Sequence, residues 1–183
     1  MIQIRFNTFE TNSSSTHSLI LSNSYFGDMT DITIDWNLKI GYKDKQELNT
    51  PSDKALYFIM SVLDVYYDDN RDEIDLLHQK LDQQYYDVDC YEDTTNTLFP
   101  LIVSECYKNS SDFQVLLRVL KPQSQYDDFI EEIKLNYNQS NFEQDLTGNA
   151  IISWTNEYDY MELEQFYRTV IFGDNKIVCN GDC

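Results

Sequence analysis

Long apolar runs are missing from this sequence, and so is most of the positive charge that a protein of its size carries. No stretch of about 18 apolar residues occurs, so a membrane-spanning helix is excluded. The opening MIQIRFNTFE also lacks the basic stretch and apolar run of a secretory leader, and an unexported chain is expected. Lys and Arg number 13 against 32 Asp and Glu. Nucleic-acid binding draws most of its affinity from cations that neutralise phosphates, so no autonomous nucleic-acid binding is expected. With 5 Gly and 3 Pro, there is no flexible linker and no glycine-rich loop to cradle a phosphate. No G-x-S-x-G elbow is present. The four cysteines, Cys90, Cys106, Cys179 and Cys183, match no zinc spacing, and His17 and His78 are the sole histidines. Reduced thiols, no metal centre and no cofactor are the expectation.

What the chain has in excess is negative charge. Its formal charge is −19, with an isoelectric point near 4.1. That lies well beyond the magnitude of about 2–8 that solubility asks of a small domain. An acidic surface attracts basic grooves, including those in which other proteins hold nucleic acid, and speeds encounter with them. The charge is also concentrated: residues 64–93 carry 11 carboxylates against Arg71 and Lys80, a net of −9. Tyrosines interleave there at 66, 67, 85, 86 and 91. Carboxylates spaced along helices imitate backbone phosphates to a basic partner, and tyrosine adds rigid contact area at low entropic cost. The candidate partner-binding residues are Asp68, Asp69, Asp72, Glu73, Tyr85, Tyr86, Asp87, Asp89, Glu92 and Asp93. Weaker echoes follow at Tyr126-Asp127-Asp128 with Glu131 and Glu132, and at Glu157 to Glu164. The bland alternative is a solvated outer face of a helical hairpin.

At 183 residues the chain is long enough for one domain with a real core. Ile2, Ile4 and Phe6, then Leu19 to Leu21, then Ile32, Ile34 and Trp36 read as strands. From Thr50 the period becomes helical. Thr50 caps, Pro51 suits the first helical position, and Ala55, Ile59, Val62 and Tyr66 share a face. Further helices are predicted from Arg71 with Ile74, Leu77, Leu81 and Tyr85 inward, around Pro100 in a first turn, from a Ser111/Gln114 capping box, and from Ser124. Ile151 to Trp154 reads as a strand, Tyr160 to Phe172 as a helix stopped by Gly173, and Lys176 to Cys179 as a final strand. The whole chain, 1–183, is therefore expected to be a single α+β domain. Its small sheet, from N- and C-terminal strands, would pack against about five to six helices.

One segment is unusual for its composition: Phe9-Glu10-Thr11-Asn12-Ser13-Ser14-Ser15-Thr16-His17-Ser18. Several hydroxyls lie beside a histidine, so a hydrolytic reading lets His17 activate Ser14, or its neighbour Ser13 or Ser18, with Glu10 orienting the imidazole. The alternative is a polar connection between strands, whose Asn and Ser side chains satisfy turn backbone groups.

Together with Arg5-Phe6, this motif resembles the opening of a family of phage and prophage proteins that begin with a strand and then carry F-E-T-N-S-S-S-T-H-S. Leu163-Glu164-Gln165-Phe166 followed by Ile171-Phe172-Gly173-Asp174 is similar to that family's end. The resemblance brings no catalytic residues with it. In size and acidity the chain looks like a type II anti-CRISPR protein, an inhibitor of the single-chain, guide-RNA-dependent CRISPR nuclease. Some such inhibitors mimic nucleic acid, and some promote shortening of the guide RNA. The resemblance thus implies that nuclease, with or without its guide RNA, as partner, the host cytoplasm as location, and no membrane. The rival expectation is an RNA-processing or hydrolytic enzyme centred on Asn12 to Ser18. A phage structural or morphogenetic factor is a third.

Overall fold

Thr50 and Pro51 start the helix around which the rest is built. In the computed structural model, which describes residues 2–3, 16–21, 32–38, 40, 46–85, 95–140 and 160–180, the Thr50 hydroxyl accepts from the Asp53 amide at 3.1 Å. Pro51, which has no amide hydrogen to lose, opens α1, Pro51–Asp69. The predicted stripe of Ala55, Ile59 and Val62 is buried, but burial does not stop there. Every residue from Lys54 to Leu63 is buried. A helix enclosed on all sides is a core element, not an amphipathic one, and α1 is packed by α2 (Arg71–Tyr85), α3 (Thr95–Asn109), α4 (Ser111–Leu120) and α6 (Tyr160–Phe172). The remaining helix among the described residues, α5 (Tyr126–Ser140), follows a single 3-10 turn at Gln123–Gln125 and packs on α3.

Among the described residues the sheet has four strands, in the order β1 (Ile2–Gln3), β2 (Thr16–Leu21), β4 (Lys176–Asn180), β3 (Gln46–Leu48), all antiparallel. The chain's last strand thus sits in its interior, with Ile177 opposite both Leu19 and Leu48. The fold is α+β, with N- and C-terminal strands sharing one sheet as the sequence predicts. Ile177, Cys179 and Leu48 join the same core as α1.

Two polar side chains inside α1 are satisfied internally. Ser61 donates to Tyr57 O at 2.7 Å. Lys54 is fully buried, and its Nζ donates to Gly173 O at 2.8 Å and Asn175 O at 3.0 Å. Burial lowers its pKa to about 8, against the pull of the Asp174 and Asp53 carboxylates. The turn that leads from α6 into β4 is therefore tied directly to α1. Gly173 is the residue this turn needs. A Cβ there would lie 2.3 Å from Thr169 O and 2.6 Å from Asn175 Nδ2, so no side chain fits.

Several expectations are corrected. Ile32 and Ile34 are buried and Thr33 and Asp35 exposed, as alternation implies, yet the segment pairs with no strand among the described residues. Helix side chains stand in for a ladder: Ser52 Oγ donates to Thr33 O and accepts from Asp35 N, and Lys121 Nζ donates to Ile32 O. The third N-terminal strand of the sheet is Gln46–Leu48 instead. Pro100 lies inside α3, which starts earlier, at Thr95. The cap of α4 is Ser110, whose hydroxyl accepts from Phe113 N. Gln114 turns back to donate to Tyr107 O, closing the end of α3. Leu77 is 37% exposed, because α2 is peripheral and buries chiefly Ile74. The helix Tyr160–Phe172 and its Gly173 stop stand as predicted. Residues 4–6 and 151–154 lie outside the described residues.

Phe58 is the pin of this core, meeting Tyr57, Phe166 and Tyr167 edge-on at centroid distances of 5.7, 6.0 and 5.1 Å. Phe58→Ala is expected to lower the unfolding free energy in a urea titration by about 3–5 kcal/mol. Leu135→Ala, at a site 70% exposed, is expected to change it by less than about 0.5 kcal/mol.

Candidate partner-binding surface

The described part of the acidic segment is a helix–helix corner. Asn70 ends α1, its amide donating to Tyr66 O and Tyr67 O at 3.2 Å and its side chain to Tyr66 O at 2.8 Å. Its own carbonyl accepts the first bond of α2, from Ile74 N at 3.0 Å. With a single residue between the helices, the last turn of α1 and the first turn of α2 project their side chains together. Asp68, Asp69, Asp72 and Glu73 are all exposed there, around an open depression of about 660 Å³.

Nearby contacts hold the corner's shape. Tyr67 Oη donates to Asp75 Oδ1 at 3.3 Å, and the Arg71 guanidinium lies over the Tyr67 ring, 5.5 Å from its centroid. Burial first, then Asp75, raises the Tyr67 pKa, so the hydroxyl stays a donor. Tyr66 Oη accepts from Asn109 Nδ2 at 3.2 Å, fixing the end of α1 against the end of α3.

Charge at the corner is poorly compensated from within. Arg71 pairs with Asp68 at 2.5 Å, but both side chains are 59% exposed, so the pair adds little stability. Among the described residues Asp69, Asp72 and Glu73 have no ion-pair partner. Asp72 and Glu73 suit the positive start of α2. Asp68 and Asp69 do not suit their position: they occupy the last turn of α1, which contains no basic residue, at the negative end of the helix dipole. The acidic echoes differ. Glu131 pairs with Lys134, Glu132 accepts from Trp36 Nε1 at 2.9 Å, and Glu164 takes the Arg168 guanidinium fork. At the corner, by contrast, Asp69 has no ion-pair partner among the described residues and sits at the negative end of its helix dipole.

Of the other predicted partner-binding residues, Tyr85 is the last residue of α2, about 18 Å along the helix axis from Glu73 at 1.5 Å per residue. Tyr86, Asp87, Asp89, Glu92 and Asp93 lie outside the described residues, as do Glu10 and Ser14 of the hydrolytic reading. His17 lies in β2, paired across from Cys179 of β4. His78 is half-buried, its Nε2 3.2 Å from Thr97 Oγ1, and so bridges α2 to α3. Cys106 and Cys179 are free and buried, and burial raises both thiols, Cys179 to about 12. Among the described residues no three His, Cys, Asp or Glu side chains converge as a metal site, and no helix is long and apolar enough to cross a membrane. Sequence periodicity missed one contribution to the surface. Leu76, 51% exposed, and Leu77 follow the acidic turn of α2 and add apolar area beside the carboxylates.

Because Asp69 opposes the dipole of its own helix, Asp69→Asn is expected to raise the unfolding free energy by about 0.3–1 kcal/mol at low salt. The check is the urea midpoint at unchanged slope. A lowered midpoint would make Asp69 a structural residue.

Comparison with known proteins adds no kinship: no family model, no curated protein and no solved structure matches the chain.

Proposed function

We propose that this protein inhibits a type II, guide-RNA-dependent CRISPR nuclease in the cytoplasm of a phage-infected or prophage-carrying bacterium. It does so by docking its acidic α1–α2 corner onto a basic groove of the nuclease. The observation that supports this most is the gathering of Asp68, Asp69, Asp72 and Glu73, exposed, at a one-residue helix junction, with two of them set against a helix dipole. Charge placed at Asp68 and Asp69 against the dipole of its own helix is a cost to the fold that a partner outside it would repay.

The physical chemistry of the partner fits. Such a nuclease holds its guide–target heteroduplex in a positively charged channel and reads a short flanking duplex with arginines. Carboxylates present the bidentate acceptors that arginine otherwise finds on phosphate. Leu76 and Leu77 supply the apolar contact that pure phosphate mimicry lacks. The protein's own net charge of −19 speeds encounter with that channel. The F-E-T-N-S-S-S-T-H-S resemblance supports the same phage context.

The test is cleavage of target DNA by the guide-loaded nuclease in the presence of the purified protein. Inhibition is expected, weakening as salt rises from about 50 to about 200 mM. The combined variant D68N/D69N/D72N/E73Q is expected to need about tenfold or more protein for the same inhibition, while remaining folded. Binding undiminished by salt, or a quadruple variant as potent as wild type, would contradict the proposal. The guide RNA is expected at full length afterwards; shortening lost in His17→Ala would instead favour the enzyme reading.

A further inference from the structure

The peripheral helix α2 has an inward and an outward face. Inward, Ile74 is buried and His78 meets Thr97 of α3. Outward, Glu73, Leu76, Leu77 and Lys80 are all exposed, at spacings of three, four and seven residues that put them on one stripe. Leu76 and Leu77 are 51% and 37% exposed. Two of the three large apolar side chains exposed among the described residues thus stand side by side.

A charge of opposite sign flanks each end of this leucine pair, and neither charge is used within the helix. Glu73 and Lys80 are about 10 Å apart along the axis, too far to pair with each other. Positions 69, 70, 76 and 77, one turn from Glu73, hold no base, and positions 76, 77, 83 and 84, one turn from Lys80, hold no acid. Among the described residues neither has an ion-pair partner. The helix dipole favours Glu73 in the first turn of α2, but Lys80 lies outside the last turn, which contains no basic residue. The dipole therefore leaves Lys80 without a role.

We propose that this stripe binds a second copy of itself, as a two-fold symmetric, antiparallel pair of α2 helices. A two-fold axis midway between Leu76 and Leu77 sets Leu76 of each copy against Leu77 of the other, and Glu73 of each against Lys80 of the other. The stripe is thus self-complementary, as a two-fold interface requires. A parallel pair would set Glu73 against Glu73 and Lys80 against Lys80, so charge fixes both direction and register. The leucines supply the attraction, because exposed ion pairs contribute little. Four leucines are a small patch beside the roughly 1,200–2,000 Å² that stable interfaces bury. Two copies of charge −19 also repel. The dimer is therefore weak, with a Kd of about 10–1,000 μM. This inference does not rest on the nuclease reading. It bears on it, since Glu73, Leu76 and Leu77 can face one partner at a time, and the nuclease would take up the monomer.

The test is sedimentation equilibrium of the full-length protein from about 10 μM to about 1 mM, at about 150 mM salt. A monomer–dimer equilibrium is expected. L76A/L77A is expected to weaken it about tenfold or more. K80E, which brings two carboxylates face to face, is expected to weaken it about fivefold or more, and E73K/K80E, which exchanges the two charges, to restore it to within about twofold of wild type. Rescue by the exchanged pair separates a contact across the dyad from a structural role of either residue. A wild-type protein that stays monomeric to about 1 mM, or that assembles beyond a dimer, would overturn the proposal. So would a folded K80E or L76A/L77A variant that dimerises like wild type, or an E73K/K80E variant no stronger than K80E. A monomer that inhibits the nuclease would end this inference alone, and a dimer that dissociates into a monomer without inhibitory activity would end the nuclease reading alone.

Discussion

From Lys54 to Leu63, ten consecutive residues of one helix are buried, and the rest of the molecule is arranged around that fact. A helix enclosed on every side needs neighbours on every side, and α2, α3, α4 and α6 supply them. It must also satisfy the polar groups it carries inward. The Lys54 ammonium does so by donating to Gly173 O and Asn175 O, which ties the start of α1 to the turn before β4. Through that tie the helical layer and the sheet hold each other in place. Ionised side chains cannot share this interior without partners, so the negative charge is displaced outward, and much of it to the free end of α1.

Carboxylates on the described surface fall into two groups. Three of those on α5 and α6 are engaged: Glu131 with Lys134, Glu132 with the Trp36 indole, Glu164 with Arg168. Those at the α1–α2 corner are mostly not, and Asp68 and Asp69 stand where the helix dipole disfavours them. Stability selects the first group. For the second, the proposed partner is an external cation, in the cationic channel of a guide-RNA-dependent nuclease.

Local signals made much of this legible in the sequence. Thr50, Pro51 and Asp53 mark the start of α1 by capping chemistry that needs no tertiary contact, and Gly173 marks the end of α6. Pairing of the N- and C-terminal segments followed from the order of strands and helices. What failed was decided at a distance. Ile32 and Ile34 alternate like a strand, but Ser52 and Lys121 take up the backbone groups a ladder would use. Gln46–Leu48 is too short for periodicity to register and becomes a strand because β4 lies beside it. Leu77 fits a helical stripe, yet its helix is peripheral. At the site, the charge could be counted from the sequence, but the one-residue junction at Asn70 that gathers it could not.

Carboxyl footprinting of the protein alone and in complex with the guide-loaded nuclease is the most direct measurement. The account predicts that Asp68, Asp69, Asp72 and Glu73 lose reactivity in the complex, while the equally exposed Asp127 and Asp128 keep theirs. Unchanged labelling at the four corner residues, with protection appearing elsewhere, would contradict it.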